Sequence, residues 1–274
     1  MKKVSIIIPT WNGSKWIKRA IDSIKAQSYK DWELLVVDDG SMDDTASVVL
    51  SLIKDDDRVK YIKNDQNMGI QKTLNRGLRE ALGVYIARLD DDDIWCDTEK
   101  LAKQVEFLDN NSDYILVGTG VVMMNESGSE LFRYLLPEKD EDIKNRILGK
   151  NCFVHSSVVF RKDTVSGVGG YGEGDEALHF EDYDLWLRIG NMGKFANLPI
   201  YATGYTVRDS SLSAINKLYV FRKLLSHLRK YKGQYKNYYL NITLSYTRYF
   251  AYSVYIKISK IIPLNFFLKI YKEF

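Results

Sequence analysis

Val84-Tyr85-Ile86-Ala87-Arg88-Leu89-Asp90-Asp91-Asp92-Asp93 sets a mostly apolar run directly against four consecutive aspartates. The first six residues have the length and composition of a strand buried on both faces. The four carboxylates would repel one another strongly in a partly buried site, and a bound cation is the simplest way to hold them there. Mg²⁺ and Mn²⁺ prefer oxygen ligands, and Mg²⁺ typically takes one or two carboxylates together with substrate phosphates. A solvated acidic turn or a helix N-cap is the plainer alternative, and Asp93 fits a cap.

The segments upstream decide between these readings. Val4-Ser5-Ile6-Ile7-Ile8 is a second buried strand, and Trp32-Glu33-Leu34-Leu35-Val36-Val37 a third, ending in Asp38-Asp39-Gly40-Ser41. Val59 to Ile62 is a fourth. Between them Ile17, Ala20, Ile21 and Ile24 recur at helical spacing, and Thr45–Ile53 and Thr73–Leu82 read as further helices. Strands alternating with helices predict an α/β fold with a mostly parallel, Rossmann-like sheet flanked by helices. Ligands in such sheets bind beyond the carboxyl ends of the strands. Thr10-Trp11-Asn12, Asp38 to Ser41 and Asp90 to Asp93 all follow strand ends, so three segments converge on one edge. That position favours the cation reading.

Composition bounds the rest. A chain of 274 residues, 45% hydrophobic, can bury a large α/β core and carry an appendage. Cys96 and Cys152 lack metal-type spacing and point to a reducing compartment, hence the cytoplasm. The apolar run from Val4 is stopped by Pro9, short of the roughly 7–15 residues of a signal h-region. No uncharged stretch reaches the roughly 18 residues of a membrane span. The net charge of +3 hides an asymmetry, since Ile215 to Phe274 holds twelve Lys or Arg against one acid, Glu273. This predicts a boundary near Ser211 to Ile215, with a body over 1–214 and a basic, aromatic helical extension over 215–274. Leu218, Phe221, Leu224, Leu225 and Leu228 share helical spacing, with Arg222, Lys223, Arg229 and Lys230 between them. Such a helix suits an anionic membrane surface, or packs on the body with its basic face solvated. Nucleic acid is the weaker partner, because no reading motif is present.

Glu181-Asp182-Tyr183-Asp184-Leu185-Trp186-Leu187-Arg188 places two carboxylates at the N-terminal end of a helix whose Leu185, Trp186 and Ile189 face inward. Acids there are also ordinary partners of the helix dipole. His155, ahead of the strand-like Ser156–Phe160, and His179 read as structural. Trp95, Tyr171 and the loop Gly167 to Gly174 are expected to shape substrate pockets.

Taken together, Val4–Gly13, Val36–Asp43, Asn67-Met68-Gly69, Leu74–Gly77, Tyr85–Asp93 and Glu181–Trp186 resemble glycosyltransferase family 2, over about residues 3–213. The resemblance implies a GT-A-type fold and an inverting transfer from a nucleotide-sugar donor, a UDP-sugar, to a saccharide or lipid-linked saccharide in cell-surface polysaccharide synthesis. It implies that Thr10 and Trp11 lie against the base, where aromatic stacking is worth roughly 1–3 kcal/mol, and that Asp39 accepts from the base's imide N–H. Asp90, Asp91 and Asp92 match the family's DxD-type signature. Asp91 would face the ribose, and Asp92, supported by Asp90, would ligate Mn²⁺ or Mg²⁺. Asp182 matches the general base and Glu181 its neighbour. Many members carry a His in a Tyr-x-x-His stretch; here Tyr205-Thr206-Val207-Arg208 puts Arg208 in its place. Arginine cannot ligate a cation but pairs well with a diphosphate. Two alternatives compete. A sugar-nucleotide nucleotidyltransferase would need a Gly-rich loop that Pro9 to Lys18 lacks. A non-catalytic binding module would not need Glu181 and Asp182.

Overall fold

The computed structural model describes residues 3–54, 56–208 and 217–258. The boundary expected near Ser211 to Ile215, together with Lys260 and Glu273 of the extension, lies outside the described residues.

The N-terminal half runs β1 (Val4–Thr10), α1 (Ile17–Lys25), β2 (Trp32–Asp38), α2 (Thr45–Ile53), β3 (Val59–Lys63), α3 (Ile70–Glu80) and β4 (Tyr85–Arg88). β1, β2 and β4 are buried along their whole length. Alternate residues feed two cores on opposite faces of the sheet. Ile7, Leu35 and Val37 join one, and Ile6, Ile8, Leu34 and Val36 the other. This explains why these strands read as continuous apolar runs rather than alternating ones. All pairings here are parallel, in the order β3-β2-β1-β4. The chain first progresses outward from β1 through β2 to β3 and then returns to β1's other side. The carboxyl ends of β1 and β4 therefore flank a topological switch point, where α/β sheets bind ligands.

The second half runs β5 (Ile94–Trp95), α4 (Lys100–Asn110), β6 (Tyr114–Met124), β7 (Glu130–Tyr134), α5 (Asp140–Arg146), β8 (Val159–Arg161), α6 (Lys162–Gly167), α7 (Glu181–Ile189) and β9 (Lys194–Thr206). Here the sheet becomes mixed. β8 inserts antiparallel between β4 and β6, β9 lies parallel to β6, and β5 and β7 pair antiparallel at the margins. The parallel arrangement read from the sequence thus holds for the first half, and the antiparallel strands are an addition to it.

The extension forms α8 (Lys217–Leu228) and α9 (Tyr238–Ile258). Leu228, Tyr231 and Tyr235 belong to the same core as Trp186 and Leu187 of α7. The Tyr235 hydroxyl donates to the Leu187 carbonyl at 2.7 Å. The stripe foreseen on α8 therefore faces the protein, with Leu225 and Leu228 buried. No helix among the described residues is long and apolar enough to cross a membrane.

Candidate active site

The loops after β1 and β2 are stitched to each other. Asn12 N–H donates to Ser41 Oγ at 2.9 Å, Gly13 N–H to Thr45 Oγ1 at 2.9 Å, and Met42 N–H to Asn12 Oδ1 at 2.9 Å. Asn12 adopts φ of 53°, a left-handed conformation that asparagine tolerates. Gly13 is required by what lies against it. A Cβ there would stand 2.2 Å from Asp91 Oδ2 and 2.3 Å from Thr10 Oγ1. Trp11, at the mouth of this loop, leaves half its surface exposed, at 53%. A large, free aromatic face at a strand end can stack on a flat ring.

Asp39 is buried, and its carboxylate holds the start of α3. It accepts from the backbone N–H groups of Met68 (2.8 Å) and Gly69 (2.9 Å) and from Asn64 Nδ2 (2.8 Å). Oδ2 accepts only one of these, so it keeps capacity for one further donor. This cap also explains why α3 starts at Ile70, a turn before the expected Thr73.

The four aspartates have four different surroundings. Asp90 pairs with Arg88 at 2.5 Å and accepts from Ser156 Oγ at 3.1 Å. Asp91 accepts from the Thr10 hydroxyl at 2.6 Å. Asp92 Oδ2 lies 2.7 Å from Arg208 Nε. Asp93 caps no helix; it lies 2.5 Å from Ser156 Oγ, which shares its proton with Asp90, and accepts from Thr206 N–H at 2.8 Å, tying the loop to β9. Their titration follows. Burial would raise Asp90, but the Arg88 guanidinium, helped by the Ser156 hydroxyl, holds it below the usual carboxylate range. Burial and the Asp92 charge push Asp91 up to about 7. Burial and Asp90 push Asp92 up to about 6. Burial and Asp92 raise Asp93 well above the ordinary range. Negative charge is thus under-compensated around Asp91 and Asp92, and a divalent cation would relieve it.

Among the described residues no three His, Cys, Asp or Glu side chains converge into a preformed metal cage. Each Asp90 oxygen accepts one donor, Arg88 at Oδ1 and Ser156 at Oδ2, and keeps a lone pair, while Asp92 would meet a cation in exchange with Arg208. One carboxylate completed by substrate phosphates is a normal arrangement for Mg²⁺. The donor set fits such an ion.

Glu181 and Asp182 open α7, within reach of the Asp90 charge. Asp182 accepts from Asn151 Nδ2 at 2.9 Å, and burial raises its carboxyl above the usual range, with the Asp90 charge adding to this. Burial, then the Asp182 charge, pushes Glu181 up to about 7. Among the described residues Glu181 Oε2 is buried without a hydrogen-bond partner. The charge of Asp90 is felt by both carboxylates, so the two acidic groups share one site. His155 Nε2 lies 2.8 Å from the Tyr171 hydroxyl, and both are held beside Arg88. Burial and Arg88 keep His155 well below its ordinary value, so it is neutral.

The structure brings Thr10, Asp90, Asp91, Asp92 and Arg208 to one edge, with Asp39 and Trp11 beside them and Glu181 and Asp182 within reach of the Asp90 charge. Two expectations fail, since Tyr171 is buried with its hydroxyl on His155 and Trp95 is buried as well. Trp95 does not shape a pocket; it is buried, donates from Nε1 to the Ser156 carbonyl at 2.9 Å, and is covered by Lys100. Its indole N–H needs a partner once buried, and that partner lies inside the fold. Three contributors escaped sequence reasoning. Arg88 is fully buried and organises the acids; a lone cation in an apolar strand just before four acids was the available signal. Ser156 and Asn151 carried no signal, because each acts on residues far away in the chain.

A family-wide sequence profile for glycosyl transferase family 2 matches residues 5–166. The chain is 36% identical to the putative glycosyltransferase EpsE of Bacillus subtilis over 211 residues, which span 76% of this chain and 74% of the relative. It is 33% identical to WfgD of Escherichia coli, named a UDP-Glc:α-D-GlcNAc-diphosphoundecaprenol β-1,3-glucosyltransferase, over 77% of this chain and 79% of the relative. The mannosyltransferase PcManGT of Pyrobaculum calidifontis, solved with GDP-Man and Mn²⁺, superimposes with a TM-score of 0.68. The superposition spans 96% of this chain and 76% of that one, at 18% identity, a likeness of fold.

Proposed function

We propose that this chain, which belongs to glycosyltransferase family 2 and has a GT-A-type fold, moves a sugar from a UDP-sugar to a saccharide or lipid-linked saccharide acceptor with inversion. The observation that carries the reading is one site with two unlike acidic groups. An under-compensated aspartate cluster stands at the switch point, and a buried carboxylate pair stands within reach of its charge at the N-terminus of α7.

On the donor side, Trp11 offers its exposed face to the base, and the free capacity of Asp39 Oδ2 suits the imide N–H of uracil. Asp91, held by Thr10, faces the ribose. Asp92 would hold Mn²⁺ or Mg²⁺, and a bound ion would supply charge compensation for the leaving diphosphate. Arg208 can pass from Asp92 to a phosphate, since guanidinium pairs with either. On the acceptor side, the raised Asp182 is the base. It takes the hydroxyl proton as the acceptor oxygen bonds to the anomeric carbon and the bond to the diphosphate breaks. A raised carboxylate is a stronger proton acceptor than a solvent-exposed one. Glu181, with a vacant Oε2, orients the acceptor.

The lipid-linked acceptor named for the Escherichia coli relative supports work at a membrane. We place the protein in the cytoplasm, peripheral on the inner face of the cell membrane. Support comes from α9, which exposes Leu240, Leu244 and Phe250 beside the basic Lys232, Lys236 and Arg248.

The test is a donor panel of UDP- and GDP-sugars, reading released nucleoside diphosphate with Mn²⁺ present. At least one UDP-sugar is expected to support release. If none competes for binding, the uridine assignment is wrong.

A further inference from the structure

Asp184 sits two residues after the base, on the far side of α7, and is almost fully buried. A buried carboxylate there needs partners, and it receives two from different parts of the chain. Arg188 Nε, on the same helix, lies 2.8 Å from Oδ2. The Arg188 guanidinium also donates to the Val168 carbonyl at 3.1 Å and the Gly170 carbonyl at 2.7 Å. These two carbonyls fix the segment leading to Tyr171, the residue that holds His155. The second contact comes from the extension: His227 Nε2, on α8, lies 2.7 Å from Asp184 Oδ1. The His227 ring also packs against Phe180, the N-cap residue of α7, with centroids 5.4 Å apart. His227 therefore touches the catalytic helix at its cap and again one turn in.

We infer that His227 is a positioning residue: by gripping Asp184 and Phe180 it sets the depth and rotation of the first turn of α7, and with it the aim of the Asp182 carboxylate. The inference rests on the reading of Asp182 as base. The extension then has a task within the reaction, beyond covering the core and beyond any membrane contact. The demand is geometric, because a general base must come within hydrogen-bond reach of the hydroxyl it deprotonates. A displacement of about 1 Å at such a group can cost about 10²-fold in rate.

The test compares two substitutions that differ in reach. In His227→Gln the amide nitrogen extends about as far as Nε2, whereas in His227→Asn it stops short. Both are polar, uncharged and smaller than histidine; they differ by one methylene, worth about 0.8 kcal/mol, so melting temperature is measured beside kcat to separate lost packing from lost reach. We expect His227→Gln to keep kcat within about 3-fold of the wild type and His227→Asn to lose about 10-fold or more, with KM for the donor unchanged in both. Equal kcat in the two variants, or a loss carried by donor KM, overturns the proposal. Combination with Asp182→Asn separates this from failure of the base assignment. If His227 works through Asp182, His227→Asn costs nothing further in the Asp182→Asn background. If the two losses multiply, His227 acts elsewhere. If Asp182→Asn alone keeps full turnover, the base reading itself has failed, whatever the His227 variants do.

Discussion

The donor and acceptor sides of this site are built by different logic. On the donor side, β1, β2 and β4 are parallel neighbours, and each ends in a polar loop that bonds to the next. Thr10 reaches Asp91, Gly13 reaches Thr45, and Asn12 reaches Ser41. On the acceptor side, apart from Arg188 on the helix itself, the partners of the carboxylate helix come from elements that are not its neighbours in a sheet. Asn151 reaches Asp182 across 31 residues, Tyr235 reaches Leu187 across 48, and His227 on α8 grips Asp184. On the proposed reading, recognition of the nucleotide is encoded in short motifs on a rigid sheet edge, and placement of the proposed base depends instead on tertiary packing, including the extension.

The largest expected effect tests the acceptor side. Asp182→Asn should lower turnover by roughly 10²–10⁴-fold, the usual contribution of general-base catalysis. Near-normal turnover would remove Asp182 from the role. The donor side is probed next by Gly13→Ala, whose methyl would collide with Asp91 and Thr10. Overpacking costs about 1–3 kcal/mol, so nucleoside diphosphate affinity should fall roughly 5- to 100-fold. An unchanged affinity in a calorimetric titration would mean that Asp91 does not face the ribose.

A smaller effect concerns the outer surface. Deleting residues 215–274 as a block would strip Leu228, Tyr231 and Tyr235 from the core, so surface substitutions on α9 are the informative ones. Leu240→Ser with Phe250→Ser should weaken sedimentation with anionic vesicles about 10-fold or more, given about 1.5–3 kcal/mol for burying each such side chain. Wild-type protein that sediments equally with neutral and anionic vesicles, or with neither, would refute the membrane placement.

The smallest effect follows from Glu181, which burial and Asp182 push up to about 7. Its ordinary value is 4.5. Between these values the unfolded chain releases a proton that the folded chain keeps, so the fold loses stability as pH rises through this window and levels off above it. Glu181→Gln removes that loss. The ligand-free variant should melt a few degrees above the wild type at pH 8 and close to it at pH 5, each kcal/mol being worth about 2–4 °C at this size. A gap that is the same at both pH values would contradict the buried, proton-holding Glu181.

This division also accounts for what the sequence disclosed. The strands β1, β2 and β4 were legible because burial on both faces leaves an uninterrupted apolar run, and the loops after them because their polar clusters stand out against it. The helix beginning at Glu181 was legible from its amphipathic stripe. Trp95 was misread because a tryptophan two residues past an acidic cluster looks like a substrate contact, while its N–H partner, Ser156, lies 61 residues on. β8 was legible in the strand-like Ser156–Phe160, but not its antiparallel place between β4 and β6, because three residues carry no sign of their neighbours. The inward face of α8 had the same pattern that a membrane-facing helix would have. Only the contacts of Leu225, His227 and Leu228 distinguish the two.

The central claim is that binding and proton removal are assigned to different acidic groups of one site. It is tested most directly by measuring UDP affinity, with Mn²⁺ present, for Asp182→Asn and Asp92→Ala side by side. The account predicts that Asp182→Asn binds UDP within about two-fold of the wild type, while Asp92→Ala binds it about 10- to 100-fold more weakly, the loss of a charge-assisted contact worth about 1.5–3 kcal/mol. Equal weakening in both variants, or undiminished binding by Asp92→Ala, would contradict it.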